Sequence, residues 1–122
     1  MRFDPEMMRD ILKAIEDIPA GEVLNGSLAF EGRPQAEANE HIRLLIIEDY
    51  LTGLIDTDEQ GLPAGFLIRG LTMKGHQFIE NARNDTVWKK VLKQAKEKGQ
   101  SVAITVLNVL LEQAAKKFAG IE

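Results

Sequence analysis

The sequence predicts an α+β domain: a helix, a short strand, a long helix and a two-stranded hairpin, followed by C-terminal helices. Three observations predict it. From Glu40 through Ile47 the apolar residues keep a three- and four-residue spacing, and after Asp49 the pattern changes to strand-like alternation. Arg69 to His76 reads as a returning strand that ends where another helix begins. Beyond Asn84 the apolar residues keep a helical period, with no further strand pattern.

Asp4-Pro5 is a good helix start, because Asp can cap the first turn and Pro fits within it. Met8, Ile11, Leu12, Ile15 and Ile18 then line one face, and Pro19-Ala20-Gly21 stops the helix. Asn25-Gly26 reads as a turn before a short strand, Ser27 to Glu31, in which Leu28 and Phe30 alternate with polar or small residues. Pro34 sets the first turn of the second helix. On a helical projection Ala38, Ile42, Leu45 and Ile46 share one flank, while Ala36, Leu44, Ile47 and Leu51 share another. A helix apolar on two flanks is expected to be wedged between neighbours, leaving an acidic arc outside. Asp49 stands where that helix should end, and Asp tolerates the left-handed backbone usually supplied there by Gly.

Tyr50 to Ile55 and Phe66 to Ile68 form the hairpin strands, and the charged, turn-rich run from Asp56 to Gly65 its exposed tip. Thr72 caps a third helix with Met73, Phe78, Ile79 and Ala82 directed inward. Asp85 caps a fourth, Thr86 to Lys98, with Val87, Val91, Leu92 and Ala95 inside. Gly99 ends it, and Ser101 caps a fifth that runs to about Ala119. The expected division is a body at 1–84 and a helical extension at 85–122 packed on it.

The motifs carry a resemblance. His41-Ile42-x-x-Leu45-x-x-x-Asp49-Tyr50-Leu51 resembles the end of the recognition helix and the entry to the wing in bacterial winged-helix regulators. Leu71-Thr72-x-x-Gly75 is similar to the step from wing to following helix in the same proteins. A closer match rests on Phe30-Glu31-Gly32, His41-Ile42-x-Leu44-Leu45 and, most specific, Gly70-Leu71-Thr72-x-Lys74-Gly75-His76-x-Phe78 and Ala82-Arg83-Asn84-Asp85-Thr86-Val87-Trp88. With a Met- and Arg-bearing first helix, these blocks resemble domain of unknown function 2513, a bacterial family, across nearly the full length. The resemblance implies a winged-helix-like fold, bacterial or phage-related genomes and no established activity. Two departures from the regulator pattern stand out. Between Pro19 and Pro34 the helix that usually precedes the recognition helix is missing or reduced to its first turn, and Asp49 replaces Gly.

Charge is unevenly spread around the overall −4. Residues 34–71 carry a net −5 and residues 72–98 a net +4. Glu37, Glu40 and Glu48 on the central helix would repel phosphate where a DNA reader presents Arg, Lys, Asn or Gln. Any nucleic-acid contact is therefore expected from Lys74, Arg83, Lys89, Lys90, Lys93 and Lys96, a ladder whose bland alternative is a solvated helix face. Trp88 is expected to anchor the fourth helix on the wing. The fifth helix is so widely apolar that Val106, Leu107, Leu110, Leu111 and Phe118 are expected to form a homodimer interface. The alternative is that it folds back over the first helix and completes the core.

No enzyme, metal or cofactor signature emerges. Cysteine is absent, which removes thiol catalysis and Cys-based zinc sites. His41 and His76 lack a ligand-pair spacing, and His41 is expected to bridge a backbone carbonyl and a carboxylate. Asp56-x-Asp58-x-x-Gly61 begins like a calcium loop, but Leu67 stands where the closing Glu belongs. Asn25-Gly26-Ser27 and Asn84-Asp85-Thr86 match glycosylation sequons without a secretion signal. With no membrane-length apolar run either, the expected location is cytoplasmic. The expected function is a small non-enzymatic regulator that binds DNA; the alternative is a protein–protein adaptor on the same scaffold.

Overall fold

Asp4 starts the first helix as its chemistry requires: Oδ1 accepts the Glu6 N–H at 2.9 Å, and Pro5 occupies the first turn. The computed structural model describes residues 1–97 and 104–118, the side chains of Thr105 and Phe118 excepted. Among these, the elements are α1 (Pro5–Glu16), β1 (Leu24–Gly26), α2 (Gln35–Ile47), β2 (Leu51–Thr57), β3 (Pro63–Leu71), α3 (Met73–Ala82), α4 (Asp85–Glu97) and α5 (Ile104–Phe118). The fold is α+β, with a helix–strand–helix–wing arrangement followed by helices. The antiparallel sheet has the order β1-β3-β2.

α1 buries Met7, Met8, Ile11, Leu12 and Ile15; Met7 was not among the expected residues, and Ile18, which was, lies beyond the helix and is only partly buried. β1 lies earlier than the expected Ser27–Glu31 strand. Leu24, Asn25 and Gly26 pair with Ile68, Leu67 and Phe66. Beyond Gly26 the chain turns to α2 instead: Ser27 Oγ donates to Asn39 Oδ1 at 2.6 Å, and the Leu28 carbonyl accepts from Gln35 Nε2 at 2.9 Å. Leu28 and Phe30 still pack partly against the core, so the alternation was real and its ladder partner was not there.

α2 differs from expectation in which side it buries. Ala38, His41, Ile42 and Leu45 face the core, while Ala36 is exposed, Leu44 half-buried and Ile47 56% exposed. One flank is buried, not two, because α1 and the sheet cover only that side of the helix. Pro34 is the N-cap of the helix, in extended backbone (ψ 137°) with its carbonyl accepting the Ala38 N–H at 3.2 Å, and not a residue of the first turn.

The end of α2 and the start of α3 are stitched together. Asp49 adopts the left-handed conformation (φ 68°), and the Tyr50 N–H returns to the Leu45 carbonyl at 2.8 Å. Thr72 then donates from its N–H to Tyr50 O at 3.1 Å and from Oγ1 to Asp49 O at 2.5 Å. The same Oγ1 accepts from Gly75 N at 3.0 Å, capping α3 as expected. Met73, expected inside, is 73% exposed, because the first turn points it away from the core that Phe78, Ile79 and Ala82 reach.

α4 is capped by Asn84, whose Oδ1 accepts the Val87 N–H at 3.1 Å, and not by Asp85. Its expected extension to Lys98, with Gly99 and Ser101, lies outside the described residues. α5 packs on α4 and α3. One hydrophobic core runs from Met7 through Trp88 to Leu111, so the C-terminal helices share it with the body.

Candidate functional site

Three surfaces could carry function: the outer side of α2 with the wing, the lysines of α4, and the groove between α4 and α5. The first is acidic. Glu37 and Glu48 are exposed beside Ile47. The sole cation of α2, Arg43, is held by Glu40: its Nε donates to both carboxylate oxygens at 2.9 and 3.0 Å. That hydrogen bond keeps the Glu40 carboxyl below its usual range. At the wing tip Asp58 Oδ1 accepts the Gln60 and Leu62 N–H groups, each at 2.9 Å, and Asp56 and Glu59 are exposed. Asp58 thus builds a turn, in agreement with the failed calcium pattern. No lysine or arginine lies between Arg43 and Arg69.

The expected basic patch does not assemble. Lys74 Nζ donates to the Glu48 carbonyl at 3.1 Å and lies 4.6 Å from the centre of the Tyr50 ring, so it caps the α2 C-terminus. Arg83 is gripped by Glu16 at 3.1 and 2.8 Å and by Glu80 at 3.2 Å. Those hydrogen bonds raise its already high pKa, Glu16 contributing most. The four α4 lysines are exposed and make no ion pair among the described residues. They also divide. Lys89, Lys93 and Lys96 form one stripe around a shallow hollow of about 550 Å³ with Glu6 and Leu92. Lys90, about 100° further round the helix, lines the α4–α5 groove on the other side.

Trp88 anchors α4 on α1 and α3, not on the wing. Its Nε1 donates to Glu6 Oε1 at 3.0 Å, and its ring meets Phe78 edge-on. Over its face lies Arg9, 5.3 Å from the ring centre. Arg9 is a residue that sequence reasoning missed. Buried on the inner side of α1, it donates to Ala82 O at 2.8 Å, Arg83 O at 3.1 Å and Asp85 Oδ1 at 2.6 Å. One guanidinium thereby closes the α3–α4 junction. The only advance signal was an Arg placed among the apolar positions of an amphipathic helix.

His41 is buried and structural. Nε2 accepts the Asp4 N–H at 2.8 Å, which leaves Nδ1 to donate to Glu37 O, also at 2.8 Å. Its second partner is therefore a backbone amide, not the expected carboxylate. Phe3 stacks on the ring at 5.3 Å. His76 is exposed on α3. Among the described residues no group of three His, Asp or Glu side chains is placed to hold a metal ion. None of their helices is long and apolar enough to cross a membrane.

The expected dimer surface of α5 is used within the chain. Leu107, Leu110 and Leu111 are buried against α3 and α4, and Asn108 Nδ2 donates to the buried Tyr50 hydroxyl. Val106 remains 39% exposed, and the Phe118 side chain lies outside the described residues. The helix looked too apolar for a monomer because the α3–α4 surface it would cover could not be seen in the pattern. Between α4 and α5 runs a groove of about 650 Å³, with Val87, Val91, Leu110 and Ala114 among its apolar lining and Lys90 and Lys117 on its two walls.

The chain belongs to the family of hypothetical proteins designated DUF2513, whose model matches residues 2–101. No curated protein and no solved structure matches it.

Proposed function

We propose that this family member is a non-enzymatic protein–protein interaction module built on a helix-and-wing scaffold. The observation that carries the reading is the charge of the α2–wing surface. Glu37, Glu48, Asp56 and Glu59 are exposed there, while Arg43 is already paired with Glu40 and Lys74 is held on the Glu48 carbonyl. A duplex laid on that surface would meet like charge where specific readers supply cations and amide side chains. An acidic surface that also exposes Ile47 suits a protein partner better.

A DNA-binding regulator is the second reading, favoured by the Lys89–Lys93–Lys96 stripe alone. Spanning eight residues, it is roughly 10 Å long, enough for a few phosphates. Three such contacts give a slope of log K against log salt of about −3 for one chain, the signature of weak, non-specific association. The deciding measurement is fluorescence anisotropy with labelled duplex of mixed sequence at low and raised salt. The interaction reading expects no saturable binding. Saturable binding that weakens steeply with salt, and disappears when Lys89, Lys93 and Lys96 become Glu, would overturn it.

A further inference from the structure

We infer that the α4–α5 groove is a docking site for the outer flank of α2 from a second copy of this chain. The inference rests on the interaction reading above and specifies its partner. On α4 the groove is lined at 87, 90, 91, 94 and 97, and on α5 at 110, 113, 114 and 117. Both sets follow the i, i+3, i+4, i+7 spacing by which one helix face meets another helix. Two helices that present such faces to a shared furrow form two-thirds of a three-helix bundle, and a helix is the shape that completes it. The lined stretch covers eleven residues on α4, roughly 15 Å, and eight on α5, roughly 10 Å or two helical turns.

The chemistry of the walls selects the occupant. Val87, Val91, Leu110 and Ala114 line the groove with apolar surface, and Lys90 and Lys117 rise on opposite sides against, among the described residues, a single carboxylate, Glu97. The complement is a helix with aliphatic residues along its centre and carboxylates beside them. α2 has that face. Leu44 and Ile47, one turn apart, are left uncovered or half-covered, with Glu37 and Glu48 alongside them. From Glu37 to Glu48 the flank is roughly 16 Å long, sufficient to span the groove. Arg43 does not oppose the match, since Glu40 neutralises it.

Within one chain the two surfaces serve different neighbours. α2 packs on α1, β2 and β3 while its outer flank stays exposed, and the groove lies between α4 and α5. Contact between flank and groove therefore joins two molecules. The contact is heterologous: two copies that exchange it about a twofold axis close as a dimer, and otherwise the contact propagates. Burying Leu44 and Ile47 supplies the apolar part, and the opposed charges set the orientation and the sensitivity to salt.

Charge exchange tests this directly, because Glu37, Glu48, Lys90 and Lys117 are all exposed and can be reversed without disturbing the core. The experiment is sedimentation equilibrium of the full chain over a broad concentration range at low and high salt. Wild type is expected to self-associate, more strongly at low salt. Glu37→Lys with Glu48→Lys, and separately Lys90→Glu with Lys117→Glu, should each weaken association by more than about tenfold, since each sets like charges against one another. An equimolar mixture of the two doubly substituted proteins should regain it, because every flank then finds an oppositely charged groove. Far-UV circular dichroism confirms that both variants are folded.

A wild type that stays monomeric throughout overturns the inference, as does a mixture no better associated than its components. The duplex titration run in the same buffers keeps the two levels apart. A monomer that ignores DNA removes self-docking and leaves the interaction reading in place. A lysine-dependent DNA complex removes the interaction reading itself.

Discussion

Replacing Gly75 by Ala should destabilise this protein, although helix propensity alone predicts the reverse. Gly75 is buried in the first turn of α3, where Gly→Ala normally favours folding by about 1 kcal/mol. Here the helix start is pressed against the end of α2. A Cβ at Gly75 would lie 3.2 Å from the Tyr50 carbonyl carbon and 3.3 Å from Leu71 Cβ, and would overlap the Tyr50 oxygen outright. Restoring van der Waals distance requires α3 to withdraw by roughly 1 Å. That withdrawal stretches the 3.1 Å bond from Thr72 N to Tyr50 O beyond useful range and pulls Thr72 Oγ1 off Asp49 O. Two hydrogen bonds at about 1 kcal/mol each, with overpacking strain of about 1–3 kcal/mol, outweigh the propensity gain. The expected net loss is about 2–4 kcal/mol, or on the order of 10 °C in Tm for a chain of this size. The assay is urea unfolding followed by circular dichroism at constant m. Gly65→Ala serves as the control, because a Cβ there meets nothing within 4 Å, and it should change stability by less than about 0.5 kcal/mol. A Gly75→Ala protein as stable as wild type would refute the close-approach argument.

Four further outcomes follow from the same structure. Arg9→Met should cost about 2–4 kcal/mol, as charge-assisted bonds to Ala82 O, Arg83 O and Asp85 are lost, and should shift the emission of Trp88, the single tryptophan, in the folded state. Arg83, Arg43 and Arg9 hold Glu16, Glu40 and Asp85 respectively below their ordinary pKa values. Depressed carboxylates favour the fold above their unfolded pKa and lose that contribution as pH falls through the folded value, so stability should drop on acidification below about pH 4, and Glu16→Gln with Glu40→Gln should flatten the drop. Burial pushes the Tyr50 phenol above its ordinary 10.0, partly offset by Asn108, so its contribution is present below pH 10.0 and lost as pH rises through the folded value; Tyr50→Phe should flatten that alkaline limb in unfolding titrations. Leu107→Asp places a charge at a position with no exposure and should release α5, seen as lost helical ellipticity with no dependence on protein concentration.

Periodicity and capping chemistry carried most of the fold because they are local. The helix starts at Asp4-Pro5 and Thr72, the left-handed Asp49 and the wing strands all depend on neighbours within a few residues. The errors arose where a distant partner decides the outcome. β1 stops at Gly26 because Gln35 and Asn39 of α2 take over its chain, and nothing between residues 24 and 31 announces that. Asp85 gave up its capping role because Arg9, 76 positions earlier, reaches it. The surface proved harder to read than the core for the same reason. Six basic residues close in sequence suggested one patch, yet Lys74 and Arg83 are consumed by contacts with Glu48, Glu16 and Glu80. The α4 lysines then separate simply because residues 89 and 90 point about 100° apart.

The blocks by which this chain resembles its family fall on the joints of the molecule. Gly70 to Gly75 contains the Thr72 bonds and the close approach that fasten α3 to the end of α2. Ala82 to Trp88 contains the carbonyls, the carboxylate and the ring on which Arg9 converges. Most polar side chains of the two blocks are spent inside the chain: Thr72, Lys74, Arg83, Asp85 and Trp88 are engaged in such contacts, while His76 and Thr86 are exposed. A signature made of joints specifies how the helices are assembled and is silent on what they meet. The charged residues proposed to meet something, Glu37 and Glu48 on the α2 flank and Lys90 and Lys117 at the groove, lie outside both blocks, and of the groove lining only Val87 falls within one. Substitutions in the joints should therefore be read out as stability and those on the flank and groove as association. A Lys90→Glu, Lys117→Glu protein that unfolds like wild type but no longer self-associates would separate the two; a loss of stability comparable to that of Gly75→Ala would show that the groove belongs to the architecture.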